Sequence, residues 1–243
     1  MKNSLLFCFL IIAFSCTTHY SMVKKDYDQT GINKVQNDDS MAAAMIAPYH
    51  DSIQGKMNAI IGYSRVVLKK EQPESSMGNF ICDAIMNHYQ LQKPDLCVVN
   101  YGGIRIPQIS DGAITTGKIF ELMPFDNGMT MIYLPGKNLK QLFEKIAQKK
   151  GWPVSEGVSL QIQDGKLISC YIKGKEIDDA KTYRLIVSDY LANGGDECSF
   201  LKPLPHIDLK ELFRDVLLAE IKSMNAKGEK ISSSIDGRIT EIK

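Results

Sequence analysis

The residues whose types and spacing best suit the binding of a small molecule are Asn-Tyr-Gly-Gly-Ile-Arg at positions 100–105. They directly follow an apolar run at residues 96–99 that is typical of a buried strand. Glycine lets backbone approach a ligand closely, and open α/β sheets bind ligands beyond the carboxyl ends of their strands. Taken alone, the segment also fits a tight turn beside a solvated arginine, so a site needs support from elsewhere in the chain.

A second apolar run, at residues 183–188, ends in a similar way. Gly194 and Gly195 follow it, and Asp196 comes directly after them. A carboxylate such as Asp196 can accept hydrogen bonds from two ribose hydroxyls, and an exposed ring such as Tyr190 can stack on a base. Singly, these residues would be interpreted as a turn acid and a core aromatic. The repeated pattern of strand, paired glycines and charge favours a binding site.

The elements that must position these residues are predicted from hydrophobic periodicity. Ser75 or Ser76 can cap a helix that ends before Pro94, and Trp152, among turn residues, is interpreted as a pocket wall. Further helices are expected at residues 41–49, 136–150 and 209–224, with a single helical turn at 119–123. Strands are expected at residues 58–68, 96–99, 129–134, 158–163, 167–172, 183–188 and 237–242.

Two other features are interpreted as unrelated to a site. Residues 112–118 fit the spacing of a phosphate-binding loop up to Lys118, but Ile119 stands where that loop needs Ser or Thr. No apolar strand runs directly into Gly112, so the match is a coincidence. His88 continues the apolar stripe of its helix, which predicts a core or boundary histidine whose hydrogen bonds are satisfied.

Length and composition predict one globular domain with an N-terminal extension. The chain has 243 residues, of which 44% are hydrophobic and 23% charged, with a net charge of +1. No strong electrostatic field follows from this balance, so nucleic acid is not an expected partner.

The first sixteen residues have the features of a secretory signal. Lys2 precedes an apolar run at residues 5–14, and Ala-Phe-Ser-Cys at 13–16 resembles the lipobox of bacterial lipoproteins. We therefore predict a lipoprotein signal peptide at 1–16 with lipid on Cys16, a flexible tether at 17–40 and a domain at 41–243. The protein would be exported and membrane-anchored in the bacterial cell envelope, either periplasmic or on the surface. The alternatives are an ordinary cleaved signal or an uncleaved anchor, for which the run is short.

Four cysteines remain: Cys82, Cys97, Cys170 and Cys198. An exported protein could pair them as two disulfides, but each lies within or beside an apolar run and their separations match no metal site. Buried thiols are predicted.

Four separated motifs, in the right order, resemble the C-terminal domain of bacterial 5′-nucleotidases. This domain recognises the nucleoside in a family that includes UDP-sugar hydrolases and 2′,3′-cyclic phosphodiesterases. The motifs are Glu-Ser-Ser-Met-Gly-Asn at 74–79, residues 100–105, Pro-Phe-Asp-Asn at 124–127 and residues 190–196, within a resemblance from about residue 58 to 203. The resemblance implies an α+β fold with α/β-like layers, in which a mixed β-sheet is flanked by helices.

Carried over residue by residue, the resemblance implies a base sandwiched between Phe125 and Tyr190, ribose held by Asp196, and loop contacts from Asn127 and Arg105. Family members often carry further arginines ahead of the helix that Ser75 or Ser76 caps. The corresponding stretch here, residues 67–71, contains no arginine. Arg65, Lys69 and Lys70 are candidates to replace the missing arginines. The expected substrate-binding residues are Asn100, Gly102, Gly103, Arg105, Phe125, Asn127, Tyr190, Gly194, Gly195 and Asp196.

The resemblance also implies that hydrolysis belongs to a different domain. In the family, an N-terminal metallophosphatase domain holds two metal ions with His, Asp and Asn side chains. The chain has four histidines, which are scattered without metal-ligand spacing: His19, His50, His88 and His206. Few residues precede the region of resemblance. No catalytic residue, metal ligand or cofactor is therefore expected in this chain, and divalent metals are expected on a separate partner chain.

The leading hypothesis is a membrane-tethered hydrolase subunit, inactive alone, that binds the nucleoside part of a nucleotide and presents its phosphate to a separate metallophosphatase chain. One alternative is a nucleoside-binding lipoprotein that acts in scavenging or sensing without a catalytic role. Another is a structural relic of a nucleotidase.

Overall fold

A computed structural model of the protein describes residues 40–242. The predicted signal peptide, the predicted lipidation site Cys16 and the predicted tether up to residue 39 lie outside the described residues. The first described element is helix α1 (Ser40–Met57), and residues from Ile46 onward form one compact unit. No helix among residues 40–242 has both the length and the hydropathy needed to cross a membrane.

The remaining elements follow one another through the compact unit. The helices are α2 (Ser76–His88), α3 (Thr116–Leu122), α4 (Gly136–Gln148), α5 (Asp189–Ala192) and α6 (Phe213–Ala226). The strands are β1 (Ile60–Ser64), β2 (Leu68–Lys69), β3 (Leu96–Cys97), β4 (Gln108–Ile109), β5 (Gly112–Thr115), β6 (Gly128–Pro135), β7 (Val158–Gln163), β8 (Lys166–Ile172), β9 (Lys175–Glu176), β10 (Thr182–Ser188), β11 (His206–Leu212) and β12 (Ile239–Glu241).

The central element is a four-stranded mixed sheet in the order β11-β6-β10-β3. Strand β10 runs parallel to β3 and antiparallel to β6, and β6 is also antiparallel to β11. Successive side chains of a strand point to opposite faces, and here both faces are apolar. Cys97 and Ile186 face one hydrophobic core, while Leu96 and Leu185 face the other. The sheet is therefore buried on both sides, which explains why its strands are nearly continuous apolar runs.

Helices and a second sheet cover these two faces. The first core contains the apolar faces of α2 and α6, together with residues from the two-stranded ribbons β1-β5 and β2-β4. The second core contains the apolar face of α4 and the inner face of a four-stranded sheet in the order β12-β7-β8-β9. The predicted α+β fold, a mixed sheet flanked by helices, is thus confirmed.

Several predicted elements form for the predicted reasons. The side chain of Ser75 caps α2 by accepting a hydrogen bond from Gly78 N at 2.8 Å. The apolar residues spaced along one face of α4 are all buried: Leu139, Leu142, Phe143, Ile146 and Ala147. Strands β7 and β8 pair as an antiparallel hairpin. Residues 112–118 are not a phosphate-binding loop: β5 leads directly into α3, whose first turn is capped by Thr115.

Other predictions were wrong in their boundaries. The helix expected at 209–224 starts only at Phe213, because the residues up to Leu212 pair with β6 as strand β11. The single strand expected at 58–68 is split into β1 and β2, which pair with β5 and β4 respectively. Instead of a single turn at 119–123, the chain forms the longer helix α3, which starts at Thr116 and ends at Leu122.

For two side chains, the environment predicted from sequence can be compared with the observed one. Trp152 was interpreted as a pocket wall, but it is only 2% exposed and packs in the second core. His88 is partly exposed at the end of α2, where its ring nitrogens lie 3.1 Å from Glu211 and 3.3 Å from Glu220. The predicted boundary histidine is therefore confirmed.

The first of the four family-like motifs has a structural role. The carboxylate of Glu74 is buried and accepts hydrogen bonds from Asn79 Nδ2 at 2.6 Å and from the backbone of Asp236 and Gly237 at 2.9 and 3.0 Å. The motif thereby fixes the start of α2 against the C-terminal segment of the chain.

The cysteines within the described residues are free thiols. Cys82, Cys97 and Cys198 are buried, whereas Cys170 is partly exposed. Burial raises the pKa of the Cys198 thiol to about 11, so this side chain stays neutral at physiological pH.

Candidate functional site

Strand topology brings three loops together at one edge of the central sheet. Because β3 and β10 are parallel neighbours, the segments that follow them leave the sheet at the same edge. Strand β6 is antiparallel to β10, with Met129 opposite Ser188, so the segment that enters β6 arrives at this edge too. The loops at 100–105, 123–127 and 190–196 therefore meet, although long stretches of chain separate them.

These loops enclose a cavity of about 320 Å³, a volume within the usual range for small-molecule sites. Two of the ten predicted residues, Gly194 and Gly195, do not line it. The lining consists of the other eight: Asn100, Gly102, Gly103, Arg105, Phe125, Asn127, Tyr190 and Asp196.

Asp196 is the polar centre of the cavity. One carboxylate oxygen accepts a hydrogen bond from Asn100 Nδ2 at 2.7 Å, and the other accepts one from the Tyr190 hydroxyl at 3.0 Å. Asn100 is 6% exposed, so its amide is held in a fixed position. The pair of oxygens is thereby oriented for a ligand that presents two adjacent hydroxyls.

The turn that carries Asp196 has an unusual backbone. Asp196 and Glu197 have φ angles of 50° and 65°, in the left-handed region that L-residues rarely adopt. Lys149, directly after α4, and Lys145 of α4 contact the Glu197 carboxylate at 2.9 and 3.0 Å, and these contacts lower the pKa of Glu197 to about 2. The ion pairs tie the turn to α4 and so help to hold Asp196 in its conformation.

Gly195 shapes the cavity without lining it. A Cβ atom at this position would lie 2.5 Å from the Tyr190 ring, which is closer than any van der Waals contact allows. Only glycine lets the ring pack directly on the turn. Gly194, with φ of 94°, makes the reversal that leads into this turn.

The apolar walls of the cavity are two rings on different loops. Phe125 and Tyr190 are 46% and 44% exposed, which is high for aromatic side chains of this size. The guanidinium of Arg105 lies 5.5 Å from the centre of the Phe125 ring and donates to Gly102 O at 3.3 Å. Two accessible ring faces beside a carboxylate and a guanidinium form a surface suited to a flat, polar ligand.

A second cation, Lys70, contacts the loop that carries Arg105. Lys70 Nζ donates to Ile104 O at 2.8 Å and lies 3.9 Å from the centre of the Tyr101 ring. Burial, and then the charge of Arg105, lower the pKa of Lys70. Of the three cations considered from sequence, Lys70 contacts the 100–105 loop, whereas Arg65 and Lys69 are exposed.

No side-chain group among residues 40–242 has the composition of a metal site, taken as three or more clustered His, Cys, Asp or Glu. Sequence reasoning did not single out Glu197 or Arg214, both of which brace loops of the cavity. Their roles depend on partners distant in sequence, so no local pattern could have indicated them.

The fold and the cavity define a mixed α+β domain with a cavity of small-molecule size beyond the strand ends of its sheet. The chain belongs to the family described as 5′-nucleotidase, C-terminal domain, whose sequence model matches residues 54–203. This match confirms the resemblance found from the four motifs.

Two relatives agree with this assignment, and one solved structure shares the fold. Protein 5NUC of Lutzomyia longipalpis is 26% identical over 86% of this chain and 42% of its own length. Protein UshA of Escherichia coli is 27% identical over 82% of this chain and 36% of its own length. The crystal structure of a 5′-nucleotidase precursor from Thermus thermophilus shares the fold, with a TM-score of 0.74 and 24% identity over 84% of this chain and 44% of that one. The chain thus spans less than half the length of each of these three proteins.

Proposed function

We propose that this chain is the nucleotide-recognising part of a 5′-nucleotidase-type phosphohydrolase in nucleotide catabolism, and that it acts with a separate metallophosphatase chain. The observation that carries the proposal is the cavity, where two half-exposed rings face a space shared with one carboxylate and one guanidinium. Membership of the nucleotidase family supports the same conclusion.

The proposed ligand pose is the one that the family resemblance implies, and the chemistry of the lining supports it. A base lies between Phe125 and Tyr190, and the ribose hydroxyls donate to Asp196. The phosphate extends past Arg105 towards Lys70, which contacts the same loop from outside the cavity lining. Bound in this way, the nucleotide has a fixed position relative to the metals of the partner chain. Divalent metals there would activate water and stabilise phosphoryl charge, while this chain contributes orientation.

A second candidate function is a nucleoside-binding lipoprotein for scavenging or sensing. The same cavity would serve it, since rings and a ribose-binding carboxylate recognise a nucleoside without its phosphate. The two functions differ in whether the phosphate is recognised. Removing the charge of Lys70 tests this difference, because only a ligand with a phosphate should lose affinity.

We expect Lys70→Met to weaken AMP binding by about tenfold while leaving adenosine binding within about twofold of wild type. The reason is that hydrogen bonds and ion pairs to a charged group are worth about 1.5–3 kcal/mol, and about 1.4 kcal/mol corresponds to a tenfold change. Calorimetric titration of the full chain with AMP and with adenosine, in the absence of metal, measures both affinities.

Lys69→Met is the matched control, because it removes the same charge from the adjacent, exposed position. It should change neither affinity. Equal losses for AMP and adenosine in Lys70→Met would mean that Lys70 supports the loop without contacting phosphate. If the wild-type chain binds adenosine and AMP equally well, the scavenging function is favoured.

We also propose that the protein is exported and attached to the cell envelope through lipid on Cys16. The support is the sequence pattern at residues 1–16. Cys16→Ser should abolish labelling by a radioactive fatty acid and move the protein from the membrane fraction to the soluble fraction. Cys170→Ser, at a partly exposed thiol in the domain, is the control and should stay labelled. Unchanged labelling of Cys16→Ser would refute lipidation at this residue.

A further inference from the structure

The loop at residues 123–127 carries two of the eight cavity-lining residues but has no regular structure of its own. It connects α3 to β6 and presents Phe125 and Asn127 to the cavity. Such a loop needs external contacts to keep a ring in one place, because a half-exposed side chain gains little from burial. The contacts come from the junction of β11 and α6.

Arg214, in the first turn of α6, makes most of these contacts. Its guanidinium donates to Met123 O at 3.3 Å, to Phe125 O at 3.4 Å and to Asp126 Oδ1 at 2.6 Å. The preceding residue, Phe213, donates its backbone N–H to Asn127 O at 2.9 Å. Four of the five loop residues are therefore held by two consecutive residues of another element.

The environment of Arg214 favours a fixed guanidinium over a mobile one. The residue is 8% exposed, and the guanidinium carbon lies 4.2 Å from the centre of the Phe120 ring. Its Nε is buried and has no hydrogen-bond partner among the described residues. Burying an arginine costs free energy unless its nitrogens are bonded. Two nitrogens of Arg214 donate to the loop, whereas the residue does not line the cavity. Its contacts are therefore with the loop and not with a ligand.

We propose that Arg214 is a positioning residue that sets the placement of Phe125 and Asn127 and thereby the affinity of the cavity. The ligand in this inference is the nucleoside of the proposed function, but the positioning itself is a property of the free protein. Arg214 acts through the loop carbonyls and Asp126, and a lysine cannot replace it, because one ammonium cannot bond all three groups in this planar arrangement.

The first experiment measures the loop without any ligand. Hydrogen exchange of the full chain, followed by mass spectrometry, is compared for wild type, Arg214→Met, Arg214→Lys and Asp126→Asn. We expect peptides covering residues 120–129 to exchange about tenfold faster in both Arg214 variants and measurably faster in Asp126→Asn, with peptides of the central sheet unchanged. Arg184→Met is the matched control, because it removes another Arg–Asp pair, with Asp95, and should leave the loop peptides as in wild type.

The second experiment measures adenosine affinity in a double-mutant cycle. Arg214→Met should weaken binding by about tenfold in the wild-type chain, but by less than about threefold when Phe125 is already alanine. A residue that merely stabilises the fold would lower the melting temperature without this coupling. Asp126→Asn, at a side chain 76% exposed, removes the ion pair from the loop side and keeps the test valid if Arg214→Met does not fold.

The outcomes are distinguishable. Local acceleration of loop exchange together with coupled loss of affinity supports the proposal. Exchange that rises throughout the domain, or loop exchange unchanged in Asp126→Asn and Arg214→Lys, overturns it. If the loop opens locally but the wild-type chain binds no nucleoside or nucleotide, the positioning role stands and the proposed function fails.

Discussion

Replacing Phe125 and Tyr190 together by alanine is expected to weaken adenosine binding about a hundredfold or more. Stacking of a base on an aromatic ring is worth about 1–3 kcal/mol per contact, and about 1.4 kcal/mol corresponds to a factor of ten. Tyr190→Ala alone should therefore cost about tenfold. Calorimetry with the full chain in metal-free buffer measures all three affinities, since nothing in the proposed contacts requires a metal.

Two further variants make this result specific. Tyr190→Phe keeps the ring but removes the hydroxyl that donates to Asp196, so it should lose much less affinity than Tyr190→Ala. Tyr133→Ala removes a similarly exposed ring from β6 that does not line the cavity, and it should bind as wild type does. Equal affinity in the wild type and the Phe125/Tyr190 double variant would contradict the base sandwich.

The second large effect concerns catalysis by two chains. We expect the purified chain to release no phosphate from AMP or from UDP-sugars, even with manganese or zinc supplied. Adding a cognate metallophosphatase chain should give activity above that of the phosphatase alone, because a nucleotide held by its nucleoside part would have its phosphate fixed relative to the partner's metals. Correct placement of reacting groups can lower a barrier by several kcal/mol, on the order of 7–11 kcal/mol in the most favourable cases.

Asp196→Ala should remove most of this stimulation, about tenfold or more, because Asp196 is the proposed acceptor for both ribose hydroxyls. Asp208→Ala is a matched control, since Asp208 is an exposed carboxylate on β11 that contacts Lys210 and lies outside the cavity. Metal-dependent turnover by this chain alone, retained through rigorous purification and lost in Asp196→Ala, would show that the chain is a complete enzyme.

Elements whose signals are local were predicted well. Helix α4 has apolar residues at one face of a 3.6-residue repeat, and α2 has a capping serine directly before its apolar stripe. The strands of the central sheet are apolar on both faces, which is visible as uninterrupted runs. In these cases each residue's neighbours in sequence are enough to determine its conformation.

Elements whose conformation depends on a distant partner were predicted less well. Leu209 and Leu212 are spaced as a helix would space them, yet their segment pairs with β6, and only from Phe213 onward does the helix form. Trp152 is surrounded by turn residues in sequence but by the second core in space. Backbone pairing and core packing outweighed local pattern at both places.

The sequence by itself determined the chemistry of this protein: two rings, an acid and a cation beside glycines, in four motifs that identify the family. The tertiary structure decided their geometry. Asn100 and Asp196 are 96 positions apart, and they meet at 2.7 Å because β3 and β10 are parallel neighbours. Phe125 joins them because β6 is antiparallel to β10, and Arg214 reaches its loop from α6 across 88 positions. Strand order and register depend on how the whole chain buries its apolar surface, and no local pattern contains that information.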